Sequence, residues 1–205
     1  MENLKLEGLI KKSYLVGDVM VDSLLHFSKI AQGKVDPLKR FNLTEKCYLL
    51  ATVHRPINTD HPQNLRNIIN AFKNSGEIII FPVHPRTKKL IHNYGLIEPP
   101  NSSNLIFCEP LSYLEILLLE KYAKKILTDS GGIQKEAFLW GVPCITLRED
   151  TEWIETIEQG WSVLVGANYE KIVKAIRGFE PKKDRTFSYG DGHASEQIVS
   201  ILEEK

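Results

Sequence analysis

At 205 residues, with 42% hydrophobic and 25% charged side chains, the chain can bury the core of one ordinary globular domain, and this composition excludes a disordered protein. Lys and Arg total 26 against 26 for Asp and Glu, so no overall positive field exists for nucleic acid or an anionic membrane, and any anion has to be held locally. No apolar run reaches the roughly 18 residues of a membrane span, and charges scatter through MENLKLEGLIKKSYLVG, where a signal peptide would carry its apolar core.

The chain order of apolar runs predicts the fold. Tyr14-Leu15-Val16 reads as a first strand, Tyr48 to Val53 as a second, and Asn64 to Asn74 as an amphipathic helix. Strands follow at Ile78 to Val83 and Leu105 to Cys108, then a helix over Leu111 to Tyr122, a strand at Ile126 to Thr128 and a helix over Ile133 to Trp140. Strands at Val142 to Leu147 and Val163 to Val165 precede helices over Tyr169 to Gly178 and Ala194 to Glu203. Alternating strands and helices, with strands apolar throughout, predict an α/β fold, a doubly wound parallel sheet covered on both faces. No repeat or linker divides residues 1–205 apart from a weak Pro181-Lys182-Lys183 stretch, so one Rossmann-like domain is expected. Cys47, Cys108 and Cys144 each sit in an apolar strand-like run without metal-type spacing, which predicts buried reduced thiols, a cytoplasmic setting, and neither metal nor cofactor.

In such a sheet ligands bind at the carboxyl ends of the strands. His54 and Arg55 stand at one such end, and Pro82-Val83-His84-Pro85-Arg86 repeats the arrangement after the next strand. Imidazole can bond a phosphate or protonate a leaving oxygen near neutral pH, and guanidinium can grip an anion; a satisfied structural histidine is the alternative. At Thr128-Asp129-Ser130-Gly131-Gly132 a strand hands over to a helix, whose first N–H groups are unpaired at the positive end of its dipole. Gly131 and Gly132 let a phosphate approach the backbone, and Ser130 can cap the helix or donate to the ligand. Glu136 lies four residues after Gly132, on the same side, where a carboxylate can accept from both ribose hydroxyls of a nucleotide. The competing reading makes Asp129-Ser130 a simple cap and Glu136 a solvated charge. Arg148 follows another strand and should emerge near the glycines, because strands flanking one crossover helix are usually neighbours. Asp150 or Thr151 can cap a helix starting near Glu152, and Glu152 and Glu155 either bind substrate hydroxyls or serve that first turn. Trp153 and Trp161 are expected to be packing residues.

In order along the chain, Val16 to Asp22, Thr52-Val53-His54-Arg55, Pro82 to Thr87, Thr128 to Ala137, Arg148 to Glu155 and Tyr189 to Ser195 resemble the non-hydrolysing UDP-N-acetylglucosamine 2-epimerases. Those enzymes resemble B-type glycosyltransferases, with two Rossmann-like domains facing across a cleft, and this sequence looks like the second domain, the first being absent. The resemblance implies UDP or a UDP-sugar as ligand, with Ser130, Gly131 and Gly132 on the diphosphate, Glu136 on the ribose, and His54 and Arg148 near the phosphates. It implies catalysis by His54, with Arg55, His84, Arg86, Thr151 and Glu152 completing the substrate site. The reaction implied is elimination of UDP to a glycal and re-addition with inverted configuration at C2, its acids mainly in the first domain. A separate first-domain protein and a second copy of the chain are therefore expected as candidate partners, and little activity is expected from the chain alone. The last helix, which crosses to the first domain in B-type folds, is expected to fold back on its own sheet or pack on another copy. The sequence departs from the family at Ile57, where a glutamate is usual, and near Ile116, where an aromatic often packs on uracil; Lys135, where an acid is common, is expected to face solvent. Two rival functions fit the same cradle: the donor-binding half of a split B-type glycosyltransferase, and a non-catalytic UDP-sugar-binding module.

Overall fold

A computed structural model of the chain describes residues 1–96, 104–186 and 189–204. The chain runs α1 (Glu2–Leu6), a 3-10 turn (Ile10–Lys12), α2 (Val19–Lys34), α3 (Pro37–Arg40), β1 (Leu49–Thr52), α4 (Pro56–Thr59) and α5 (Pro62–Lys73). It continues with β2 (Ile79–Pro82), α6 (Pro85–Asn93), β3 (Leu105–Cys108), α7 (Tyr113–Tyr122), β4 (Lys125–Thr128) and α8 (Gly131–Trp140). The last elements are β5 (Cys144–Thr146), α9 (Ile154–Glu158), β6 (Ser162–Leu164), α10 (Tyr169–Gly178) and α11 (Ala194–Glu203).

The six strands form one parallel sheet in the order β3-β2-β1-β4-β5-β6. Parallel neighbours require crossovers, and the helices they carry cover both faces, which is why the strands are apolar throughout. Alternation along β1 sends Leu49 and Ala51 to a core shared with α5 and α10, and Leu50 to one shared with α7 and α8. The predicted doubly wound α/β fold is thus present, with β1, β2 and β5 two to three residues shorter than the apolar runs that announced them.

Four expectations need correction. Tyr14-Leu15-Val16 joins no strand: Tyr14 and Leu15 are 56% and 77% exposed, and the run ends in Gly17 at φ +89°, packed against the Gly190 backbone. Cys47 is exposed and Cys108 only half-buried, so Cys144 alone is a buried thiol, its pKa pushed up to about 12 by burial. Lys135 does not face solvent. It is 4% exposed, paired with Asp18, and its ammonium lies 3.8 Å from the centre of the Trp153 ring. Finally, α11 does not fold back on the sheet: it docks on α2, where Asp22 takes the N–H of Ala194 (3.1 Å) and of Ser195 (2.7 Å). That carboxylate satisfies orphan donors of the helix start from a distant element.

Candidate functional site

β1 and β4 are neighbours whose connections run to opposite halves of the sheet, so the crevice at their carboxyl ends is the switch point where such sheets admit ligands. Two threonines fasten its floor. Thr52 and Thr128 share a hydroxyl bond of 2.6 Å, and the Ser130 N–H donates to Thr128 Oγ1 at 2.9 Å.

Asp129, wholly buried, builds the next layer. Its carboxylate accepts from the N–H of His54 (3.1 Å), the N–H of Arg55 (3.0 Å) and the amide of Asn58 (3.0 Å), which also donates to Leu147 O (2.9 Å). The loops after β1, β4 and β5 are thereby tied to one buried polar centre, whose unpaired donors would otherwise be costly. Sequence reading assigned Asp129 only to a cap. Nothing in the local pattern reveals that its partners lie more than 70 positions upstream.

This centre presents several of the expected residues at the edge. His54 holds its ring half-exposed, Nδ1 lying 3.7 Å from Asp129 Oδ1. Ser130 is the N-cap of α8 but makes no capping bond with its side chain, which removes the capping reading of that hydroxyl and leaves it directed by no described neighbour. An added Cβ at Gly131 would lie 3.5 Å from Trp153 Nε1, 3.6 Å from Glu152 Oε2 and 3.8 Å from Arg55 Nη2; one at Gly132 would meet only Ser130 Oγ at 3.9 Å. Gly131, Arg55 and Glu152 are thus brought together, and neither glycine has a positive φ. Trp153, expected only to pack, also donates to Gly131 O at 2.7 Å.

Arg148 reaches the same cluster through Glu152. It bonds both Glu152 oxygens (2.8 and 3.0 Å) and Asp150 (2.9 Å), and these bonds hold the Glu152 carboxyl down to about 2. The expected cationic rim is therefore half-neutralised by its own acids. Thr151 donates to Gln134 Oε1 (2.7 Å) and accepts from Trp153 N (3.1 Å); α9 starts at Ile154, two residues later than predicted, with no side-chain cap. A cavity of about 590 Å³ opens beside Arg55, Ile57 and Arg148.

His84 and Arg86 serve other partners. His84 Nδ1 accepts from Arg86 N at 3.2 Å, starting α6, and Arg86 forks onto Asp60 at 2.5 and 2.6 Å. Glu136 is 7% exposed, which discards the solvated-charge reading, and accepts from Tyr113 Oη at 3.0 Å. Burial raises its pKa, opposed by the hydrogen bond from Tyr113. Tyr113 was not foreseen. It lies one turn before Ile116 on α7, and its ring is partly exposed beside Glu136. Among the described residues no group of three or more His, Cys, Asp or Glu could hold a metal, and no helix is long and apolar enough to cross a membrane.

A family model described as UDP-N-acetylglucosamine 2-epimerase matches residues 1–203. A UDP-N-acetylglucosamine 2-epimerase homolog of Methanococcus maripaludis is 51% identical over 203 residues, which cover 98% of this chain and 57% of that protein. A UDP-2,3-diacetamido-2,3-dideoxy-D-glucuronate 2-epimerase of Pseudomonas aeruginosa is 38% identical over 98% of this chain and 56% of its own length. The crystal structure of a Methanocaldococcus jannaschii UDP-GlcNAc 2-epimerase in complex with UDP-GlcNAc and UDP superimposes with a TM-score of 0.88 at 40% identity, covering 100% of this chain and 58% of the other. The chain thus spans little more than half the length of the relatives it matches.

Proposed function

Because this chain belongs to the UDP-N-acetylglucosamine 2-epimerase family, we propose that its β1–β4 edge holds the uridine diphosphate of a UDP-sugar during 2-epimerisation. In this reading the diphosphate sits on the N–H groups of Gly131 and Gly132, with Ser130 Oγ as a further donor and Arg55 and Arg148 neutralising charge. Glu136 takes the ribose hydroxyls. Tyr113 offers a stacking face to the base, substituting for the aromatic that Ile116 lacks. His54, backed by Asp129, is the acid nearest the leaving phosphate and protonates it as the sugar–oxygen bond breaks. Arg148 is first released from Glu152 by the incoming phosphate, and Glu152 is then free for a sugar hydroxyl. His84 and Arg86 act at the outer edge, after Arg86 leaves Asp60.

One observation carries this reading: Gly131 and Gly132 stand in helical backbone with room for a side chain, so the fold itself does not demand glycine there. A ligand approaching the backbone does. The proposal covers both an N-acetylated hexose and a more substituted sugar, since the relatives are named for both.

Calorimetric titration with UDP tests the site. Removing a charge-assisted hydrogen bond in Arg148→Ala or Glu136→Ala should weaken binding about tenfold or more. Binding unchanged in both variants would remove the assignment. For the reaction, UDP-N-acetylglucosamine incubated with the chain in deuterated water, alone and with a candidate first-domain protein, should gain deuterium at C2 with the partner. Transfer to an acceptor would instead favour a glycosyltransferase, and neither outcome with intact UDP binding would leave a binding module.

A further inference from the structure

Behind Glu136 lies a second carboxyl that the proposed chemistry does not use. Glu120, on α7, is wholly buried, and neither of its oxygens has a hydrogen-bond partner. It faces Glu136 across the contact between α7 and α8. The other groups around the pair are Tyr113 and Tyr48, the buried thiol of Cys144, and the indole of Trp140, whose Nε1 is also buried without a partner. Tyr48 gives its proton to Leu119 O at 2.7 Å and is unavailable. Lys121 lies over the Trp140 ring, 5.2 Å from its centre, and among the described residues no cation forms an ion pair with either carboxyl.

Two facing carboxyls without a cation cannot both ionise in a buried site. Their environments decide which keeps the proton. Complete burial, and then the charge of Glu136, pushes Glu120 well above the usual carboxylate range, whereas Glu136 has a donor in Tyr113 and keeps 7% of its surface exposed. A charged Glu120 would be a wholly buried anion, the costlier arrangement.

We propose that Glu120 is a positioning residue for the nucleotide: it stays protonated and gives its hydroxyl to Glu136, so that Glu136 meets the ribose as a charged, oriented acceptor. A carboxylate has about four lone pairs. With one taken by Tyr113 and one by Glu120, two remain, which matches the vicinal diol of a ribose. The inference rests on Glu136 being the ribose carboxylate, as read above.

The test compares UDP with 2′-deoxy-UDP by calorimetry on the full chain near neutral pH. The wild-type chain should prefer UDP roughly tenfold. Glu120→Leu, which fills the same apolar space, should bind the deoxy analogue unchanged and lose most of the preference, whereas Glu120→Gln, which keeps a donor, should retain it. Full preference in Glu120→Leu would overturn the proposal. No preference in the wild type would instead overturn the reading of Glu136, and the proposal with it. Should Glu120→Leu not fold, infrared difference spectra decide: the wild type at neutral pH should show the carbonyl band of a protonated carboxylic acid that Glu120→Gln lacks, and absence of that band from the wild type contradicts the proposal.

Discussion

Asp129 and Gly131 are separated by one residue and do opposite work. Asp129 fixes the protein to itself, through the N–H groups of His54 and Arg55 and the amide of Asn58. Asp129→Ala leaves these buried donors unpaired, so the unfolding free energy from urea titration should fall by at least about 1–3 kcal/mol. Gly131 has room for a side chain. In Gly131→Ala the new methyl meets only ordinary contacts, the nearest at 3.5 Å, and alanine favours helix by about 0.5–1 kcal/mol. That variant should melt no lower than the wild type yet bind UDP more weakly, a split no structural role of Gly131 would give. The glycines and the strand-end His54 and Arg55 were legible in the sequence because turn and charge chemistry is local. Lys135 was misread for the converse reason: its partner Asp18 lies 117 positions upstream, and a lysine on an amphipathic helix ordinarily marks the solvent face.

The strands β1 to β6 and helices α5, α7, α8, α10 and α11 were readable from period and composition. The helices α2 and α6 were not. The buried stripe of α2 is Val21, Leu24, Ser28 and Ala31, while Leu25 and Phe27 lie exposed, so hydrophobicity does not trace its inner face. Pro85 at the first turn of α6, beside three basic residues, reads as a loop until the preceding strand fixes it as a helix start. A polar contact also attaches α2: Lys135 of α8 bonds Asp18, the residue whose side chain caps α2 by accepting from Met20 N at 2.8 Å. Burial pushes the Asp18 carboxyl up, but bonds from Lys135 and Met20 outweigh it and hold it below its ordinary value. Lys135→Met keeps the packing between Trp153 and Tyr189 and strands Asp18. It should cost about 1–3 kcal/mol in chemical denaturation, and Asp18→Asn in the same chain should restore part of it. A full loss unchanged by the second substitution would assign the effect to the aromatic contacts instead.

Across the whole molecule equal numbers of acids and bases leave no net field, and the carboxyls divide into two groups. Asp18 and Glu152 are held below their ordinary values, so their stabilisation is present above about pH 4.5 and drains away as pH falls through the lowered folded-state values, about 2 for Glu152. Glu120 is raised. Above about pH 4.5 the unfolded chain releases a proton that the folded chain keeps, so this group erodes stability as pH rises, by at most about 1.4 kcal/mol per pH unit. Melting midpoints of the wild type and Glu120→Gln should therefore draw together in acid and part as pH rises, the variant being the more stable; parallel curves would mean that Glu120 is ionised in the fold. The exposed Val199 and Leu202 on α11 show where its sequence pattern promised burial that α2 does not supply. The nucleotide site at the β1–β4 edge is tested by a crystal structure of the chain grown with saturating UDP. Diphosphate oxygens are expected on the N–H groups of Gly131 and Gly132, and ribose hydroxyls on Glu136. Nucleotide bound at another surface, or a vacant edge at saturation, would contradict it.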